Sequence, residues 1–127
     1  MTERRRVFSG SPYEARFGFC RAVRTGDRVL VAGTAPIWPD GSCDPDPEVQ
    51  ARRCYEIILE ALAELGAEPR HVVRTRVYIT DAPLAEAVGN VHGELFADSP
   101  PVNTMLVVAG LLDERWKVEI EAEAVLD

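Results

Sequence analysis

The chain has 127 residues, 46% hydrophobic and 28% charged, which bounds it to one globular domain able to bury about two-thirds of its unfolded surface. Its formal net charge of -7 disfavours non-specific binding to nucleic acid or to an anionic membrane, because both need a cationic surface. No apolar run approaches the ~20 residues of a membrane helix, and Cys20, Cys43 and Cys54 lack the spacing of a disulfide framework or zinc site, so a cytoplasmic protein without metal or cofactor is expected.

Residues 17–35 read as a β-hairpin, with Thr25-Gly26-Asp27 as the turn and 28–32 as a buried strand. Four prolines in 36–47, together with Asp40-Gly41, make a loop. A helix follows. Asp46 is placed to cap it, Pro47 suits its first position, and Gly66 stops it. Cys54, Ile57, Ile58, Ala61, Leu62 and Leu65 form its core stripe, and Arg52 and Glu56 stand at the i,i+4 spacing of an ion pair.

Residues 72–80 alternate as a strand, with Val73, Thr75, Val77 and Ile79 on one face and Arg74, Arg76 and Tyr78 on the other. A second helix runs from about 83 to 96, with Leu84, Ala87, Val88, Val91 and Leu95 as its stripe. Asp98-Ser-Pro-Pro101 breaks the chain, and 104–109 makes a strand. Residues 117–125 then alternate without interruption, setting Val118, Ile120, Ala122 and Ala124 against Glu119, Glu121 and Glu123. Carboxylates in a row on one strand face repel unless water, a neighbouring strand or another subunit compensates. The face is therefore either a solvated one, paired with Arg74 and Arg76, or part of a cleft in which one carboxylate handles protons. His71 and His92 fall in no metal motif and read as structural. The order of elements predicts one α+β domain over 1–127, a mixed sheet with two helices on one face.

Several segments in sequence carry a resemblance. They are Ser11-Pro-Tyr13, Gly26-Asp-Arg-Val-Leu-Val-Ala-Gly33 with Pro36 and Asp40-Gly41, Gln50-Ala-Arg52 and Leu65-Gly-Ala67. Val72-Val-Arg-Thr-Arg-Val-Tyr-Ile-Thr-Asp81 and Lys117-Val-Glu-Ile-Glu-Ala122 complete the set. In this order and spacing the chain resembles, over nearly its whole length, the Rid family, also called YjgF or endoribonuclease L-PSP. The resemblance implies a chorismate-mutase-like fold, a homotrimer, and a small-molecule cleft between subunits. It also implies hydrolysis of reactive enamines and imines to keto acids and ammonia.

The family holds its substrate carboxylate with an arginine before the penultimate strand, and here Asn103 stands at that position in Pro101-Val-Asn-Thr-Met105. Ala32, Gly89 and Met105 also replace the serine, asparagine and cysteine of the family pattern. Tyr13 and Glu119 match it. The resemblance thus implies a branch lacking the arginine, with Tyr13, Asn103 and Thr104 binding a small metabolite and Glu119 positioning or deprotonating water. Two other readings remain open: an imine deaminase using Arg16 or Arg21 instead, and a non-catalytic metabolite-binding or interaction module. Ribonuclease activity finds no support in this acidic chain, which offers no histidine pair beside a lysine-rich groove.

Overall fold

The computed structural model describes residues 3–127. Its strands are β1 (Arg4–Val7), β2 (Ala22–Thr25), β3 (Arg28–Thr34), β4 (Val72–Ile79), β5 (Val102–Val107) and β6 (Val118–Val125). The helices are α1 (Pro12–Phe17), α2 (Pro47–Glu64) and α3 (Ala85–Phe96). The strands form one sheet in the order β1-β2-β3-β6-β4-β5. Among the described residues β4 and β5 form the one parallel pair of neighbouring strands, and the crossover that such a pair needs is supplied by α3.

Alternation decides the layering. Val118, Ile120, Ala122 and Ala124 are buried, and each lies next to a strand residue that points the same way. Val29, Val31, Val77 and Ile79 complete this apolar face. α2 covers it with Ala51, Cys54, Tyr55, Ile58, Ala61 and Leu62, and α3 adds Val88, Val91 and Phe96. This is the expected α+β arrangement. α2 begins where its signals place it: the Asp46 carboxylate accepts from the backbone N–H groups of Glu48 and Val49, at 2.8 and 3.4 Å.

Four local expectations need correction. Residues 12–17 are helical, because Ser11 caps the turn through Tyr13 N and Gly18 ends it at φ 75°, so the hairpin begins only at Ala22. Val73 is exposed rather than in the core; a register shift between Val72 and Arg74 turns Val72 inward instead. β5 starts at Val102, two residues before the expected 104, because parallel pairing with β4 begins at Arg74 and Val102. Arg52 bonds back to Glu48 and across to Glu94 on α3 (3.0 and 2.8 Å), while Glu56 pairs with Arg53.

Candidate functional site

The face of the sheet away from the helices carries the alternate residues of β6. Glu123 lies 3.6 Å from Arg28 and 3.9 Å from Arg74. Glu121 accepts from Arg76 Nη1 at 3.2 Å and from the Tyr78 hydroxyl at 3.0 Å. These two carboxylates are satisfied by neighbouring strands. Glu119 differs: among the described residues it has no hydrogen-bond or ion-pair partner, although it is only partly exposed. Burial raises its pKa; the Arg21 charge opposes the rise and the Glu121 charge adds to it, leaving the group above the ordinary carboxylate value.

Two neighbours shape this position. Gly33, on β3, leaves room for the carboxylate, since a Cβ there would lie 2.7 Å from Glu119 Oε2. Arg21 donates through Nη2 to the Gly33 carbonyl at 3.1 Å and through Nη1 to the Thr34 hydroxyl. Burial lowers the Arg21 pKa, while the charges of Glu14 and Glu119 oppose that shift. Glu14 is itself buried. Desolvation pushes its pKa up, but bonds from the Ser9 backbone and hydroxyl and from Gly10 N–H outweigh that and leave it lowered.

Asn103 occupies a different place. It lies on β5, an outer strand of the sheet, opposite Thr75 in the parallel register. Thr75 also stands opposite Ala122, so Asn103 points to the helix side while Glu119 points to the other. Its Nδ2 donates to Thr75 Oγ1 at 3.0 Å, and that oxygen is 2.7 Å from His92 Nε2. Thr104 stands beside Arg76 on the Glu119 side, and is exposed. Tyr13 is exposed on α1, its ring stacked on Phe17 at 5.9 Å. A single chain therefore does not gather Tyr13, Asn103, Thr104 and Glu119 around one ligand.

Nor do two open grooves among the described residues contain them. One, of about 390 Å³, lies on the charged sheet face between Phe19, Leu30, Arg74 and Glu123. The other, about 570 Å³, lies between the Phe8–Ser11 segment, Trp38 and α2. Of the two arginines weighed from sequence, Arg21 stands near Glu119, whereas Arg16 rests over the Phe17 ring at 5.0 Å. Gly33 and Thr75, which adjoin Glu119 and Asn103, carry no motif, and His92 is half-buried and bonded to Thr75, as a satisfied structural histidine would be. Their only signal is position: Gly33 lies at the end of β3, and Thr75 and His92 follow from strand register and helix packing. His71 has a structural role, accepting from the Glu68 backbone N–H at 2.8 Å. Among the described residues, no group of three or more His, Cys, Asp or Glu side chains is arranged to hold a metal ion.

The family model for endoribonuclease L-PSP matches residues 10–126. An uncharacterized protein of Streptomyces coelicolor is 46% identical over 121 residues, covering 94% of this chain and 90% of its own. A RutC family protein of Pyrococcus abyssi is 31% identical over 109 residues, 84% of each chain. The crystal structure of a Mycobacterium tuberculosis member of the highly conserved YjgF family superimposes with a TM-score of 0.90 at 40% identity, covering 98% of this chain and 100% of that one. The YjgF gene product of E. coli gives 0.79 at 25% identity, over 84% and 87% of the two chains.

Proposed function

The chain belongs to the endoribonuclease L-PSP (YjgF/RutC) family, and from that premise we propose that it binds a small metabolite in clefts between the subunits of a cytoplasmic homotrimer and adds water there to a C=N or polarised C=C bond. The observation that carries the reading is Glu119, a partly buried carboxylate with no hydrogen-bond or ion-pair partner among the described residues and with a pKa raised by burial. Such a group is placed to take up and return a proton during a reaction. The opposite facing of Asn103 and Glu119 agrees with a site completed by a second copy of the chain.

In this mechanism Glu119 accepts a proton as the water oxygen bonds to the imine carbon, and the C=N electron pair moves to nitrogen. Glu119 returns that proton to the nitrogen, giving a carbinolamine. Glu119 then takes the hydroxyl proton as the C=O bond forms and passes it to the amine nitrogen as the C–N bond breaks, so that ammonia leaves and the carboxylate is regenerated. Asn103 contributes hydrogen bonds to the substrate but no charge. Arg21 supports a second reading, a deaminase of carboxylate-bearing imines, because it places a guanidinium near Glu119. Two of its N–H groups already serve Thr34 and Gly33, which makes it the weaker anchor.

The test compares hydrolysis of small imines with and without a carboxylate, including 2-aminoacrylate and its imine form. Glu119→Gln should lower the rate about 10²–10⁴-fold. The wild type should handle 2-aminoacrylate poorly, because loss of a charge-assisted bidentate contact removes about 1.5–3 kcal/mol. An undiminished rate in Glu119→Gln sinks the catalytic reading. Robust 2-aminoacrylate turnover that collapses in Arg21→Met establishes the second.

A further inference from the structure

The amide at position 103 belongs to a chain of polar groups that reaches into the core. Thr75 is 0% exposed, so no bulk water reconciles the demands of its hydroxyl. That oxygen accepts from Asn103 Nδ2 at 3.0 Å and lies 2.7 Å from His92 Nε2. A hydroxyl has one hydrogen. With Asn103 donating to the oxygen, the Thr75 hydrogen is free to go to His92 Nε2, and the chain closes when that nitrogen is the unprotonated one. The imidazole proton of neutral His92 accordingly sits on Nδ1.

The surroundings of His92 favour the neutral ring. Tyr55 meets it edge-on with centroids 6.0 Å apart, and Phe96 lies at 4.8 Å. Burial among these rings lowers its pKa below that of a free imidazole. A neutral His92 has one bare ring nitrogen; with Asn103 donating to Thr75 that nitrogen is Nε2, and both hydrogen bonds then run from Asn103 through Thr75 to His92. Asn103 is left with two outward functions, the carbonyl Oδ1 and the second hydrogen on Nδ2. Neither has a partner among the described residues.

We propose that Thr75 and His92 act as positioning residues that fix the polarity of Asn103, so that position 103 selects an uncharged amide-like group (carboxamide, lactam or urea) over a carboxylate. An amide presents both an N–H and a C=O, matching the Oδ1 and N–H that Asn103 offers. A carboxylate presents acceptors only and meets Oδ1 with like polarity. The reversed amide, with Oδ1 toward Thr75, would offer two N–H groups outward and favour the acid; it requires His92 to carry its proton on Nε2. The inference rests on the reading that position 103 faces the bound metabolite, and it names the chemical class of that metabolite.

Pyruvamide and pyruvate, equal in shape and opposite in this respect, are the probes, with affinities measured by calorimetry at neutral pH. Wild type should prefer pyruvamide by about tenfold, the equivalent of ~1.4 kcal/mol. Thr75→Val keeps the shape but removes the hydroxyl, and should bring the preference to near unity. Thr75→Ser restores the hydroxyl and should restore the preference. His92→Phe removes the acceptor, lets the Thr75 hydrogen turn to Asn103 Oδ1, and should move the preference toward pyruvate.

An equal or reversed preference in wild type overturns the proposal, as does failure of pyruvamide to bind at ~10 mM. A wild-type preference that survives in folded Thr75→Val overturns the positioning role. If Asn103→Ala leaves both affinities unchanged, the site assignment beneath it fails instead. A loss of fold in Thr75→Val leaves the Ser and Phe variants to decide.

Discussion

A hydrogen atom at position 33 makes room for Glu119. The Cβ of any other residue would fall 2.7 Å from the carboxylate oxygen, closer than such atoms approach. Gly33→Ala should therefore displace Glu119 rather than merely crowd it. Imine hydrolysis is expected to fall about 100-fold, the scale of a positioning error of an ångström, while thermal unfolding shifts by only a few degrees; an unchanged rate would remove Glu119 from the chemistry. The raised pKa of Glu119 has a consequence of its own. A carboxyl whose folded pKa exceeds its unfolded value favours the fold below the unfolded pKa and loses that contribution as pH rises through the folded value. Glu119→Gln, permanently neutral, should therefore be more stable than wild type at pH 7, and the gap should narrow as the pH falls toward 4.5. Urea denaturation midpoints across this range check the sign. A gap that widens on acidification would mean that Glu119 is stabilised as a carboxylate.

Among the elements, α2 does more than cover the sheet. Its buried Gln50 donates to the carbonyls of Asp44 and Arg115 at 2.8 and 2.9 Å and accepts from Lys117 N at 2.8 Å. One side chain thus ties the loop before α2 to the segment that enters β6. Gln50→Leu keeps the volume but leaves these backbone groups unpaired, and should cost about 2–4 kcal/mol in chemical denaturation. A loss below ~0.5 kcal/mol would show that water replaces the bonds. Gln50 was visible in the sequence only as part of a family segment, since a polar residue at a helix start reads as surface. The legible features were those with long periodicity: the stripe of α2 and the nine-residue alternation ending at Val125. α1 escaped because Phe17 and Phe19 mimic strand alternation, although Ser11-Pro12 and Gly18 are ordinary helix boundary signals. Val73 was misplaced because a register shift in one strand leaves no mark on that strand's sequence. Glu119 could be singled out by resemblance, but its lack of a partner depends on where Arg74, Arg76 and Tyr78 point. The link between Asn103 and His92 depends on parallel pairing across 28 residues.

At the scale of the molecule, apolar side chains remain uncovered. Val102, Leu106 and Val107 on β5 are 61%, 52% and 58% exposed, and Tyr13 and Phe17 on α1 are 55% and 64% exposed. β5 also ends the sheet, with an edge free to meet another chain. Val102, Leu106 and Val107 beside that edge are the kind of exposed apolar group an association surface uses. Light scattering at micromolar concentration should give about three times the 14.0 kDa chain mass. Leu106→Glu should shift the protein toward monomer and abolish ligand binding with it. A monomeric wild type would end the case for a site shared between subunits.

The place of β6 between β3 and β4 has a consequence for the birth of the molecule. A ribosome completes β3 and β4 long before it has made the strand that joins them, so both wait with open facing edges until residues through Val125 emerge from the exit tunnel. Folding during synthesis cannot run past the helices, and a chain stalled at residue 110 should be held by chaperones or lost to aggregation. The same gap invites repair from outside. A fragment spanning 3–110, refolded with a synthetic peptide of residues 113–127, should assemble into a split protein in which the peptide carries Glu119, so that each position of that strand can be rewritten chemically without touching the gene.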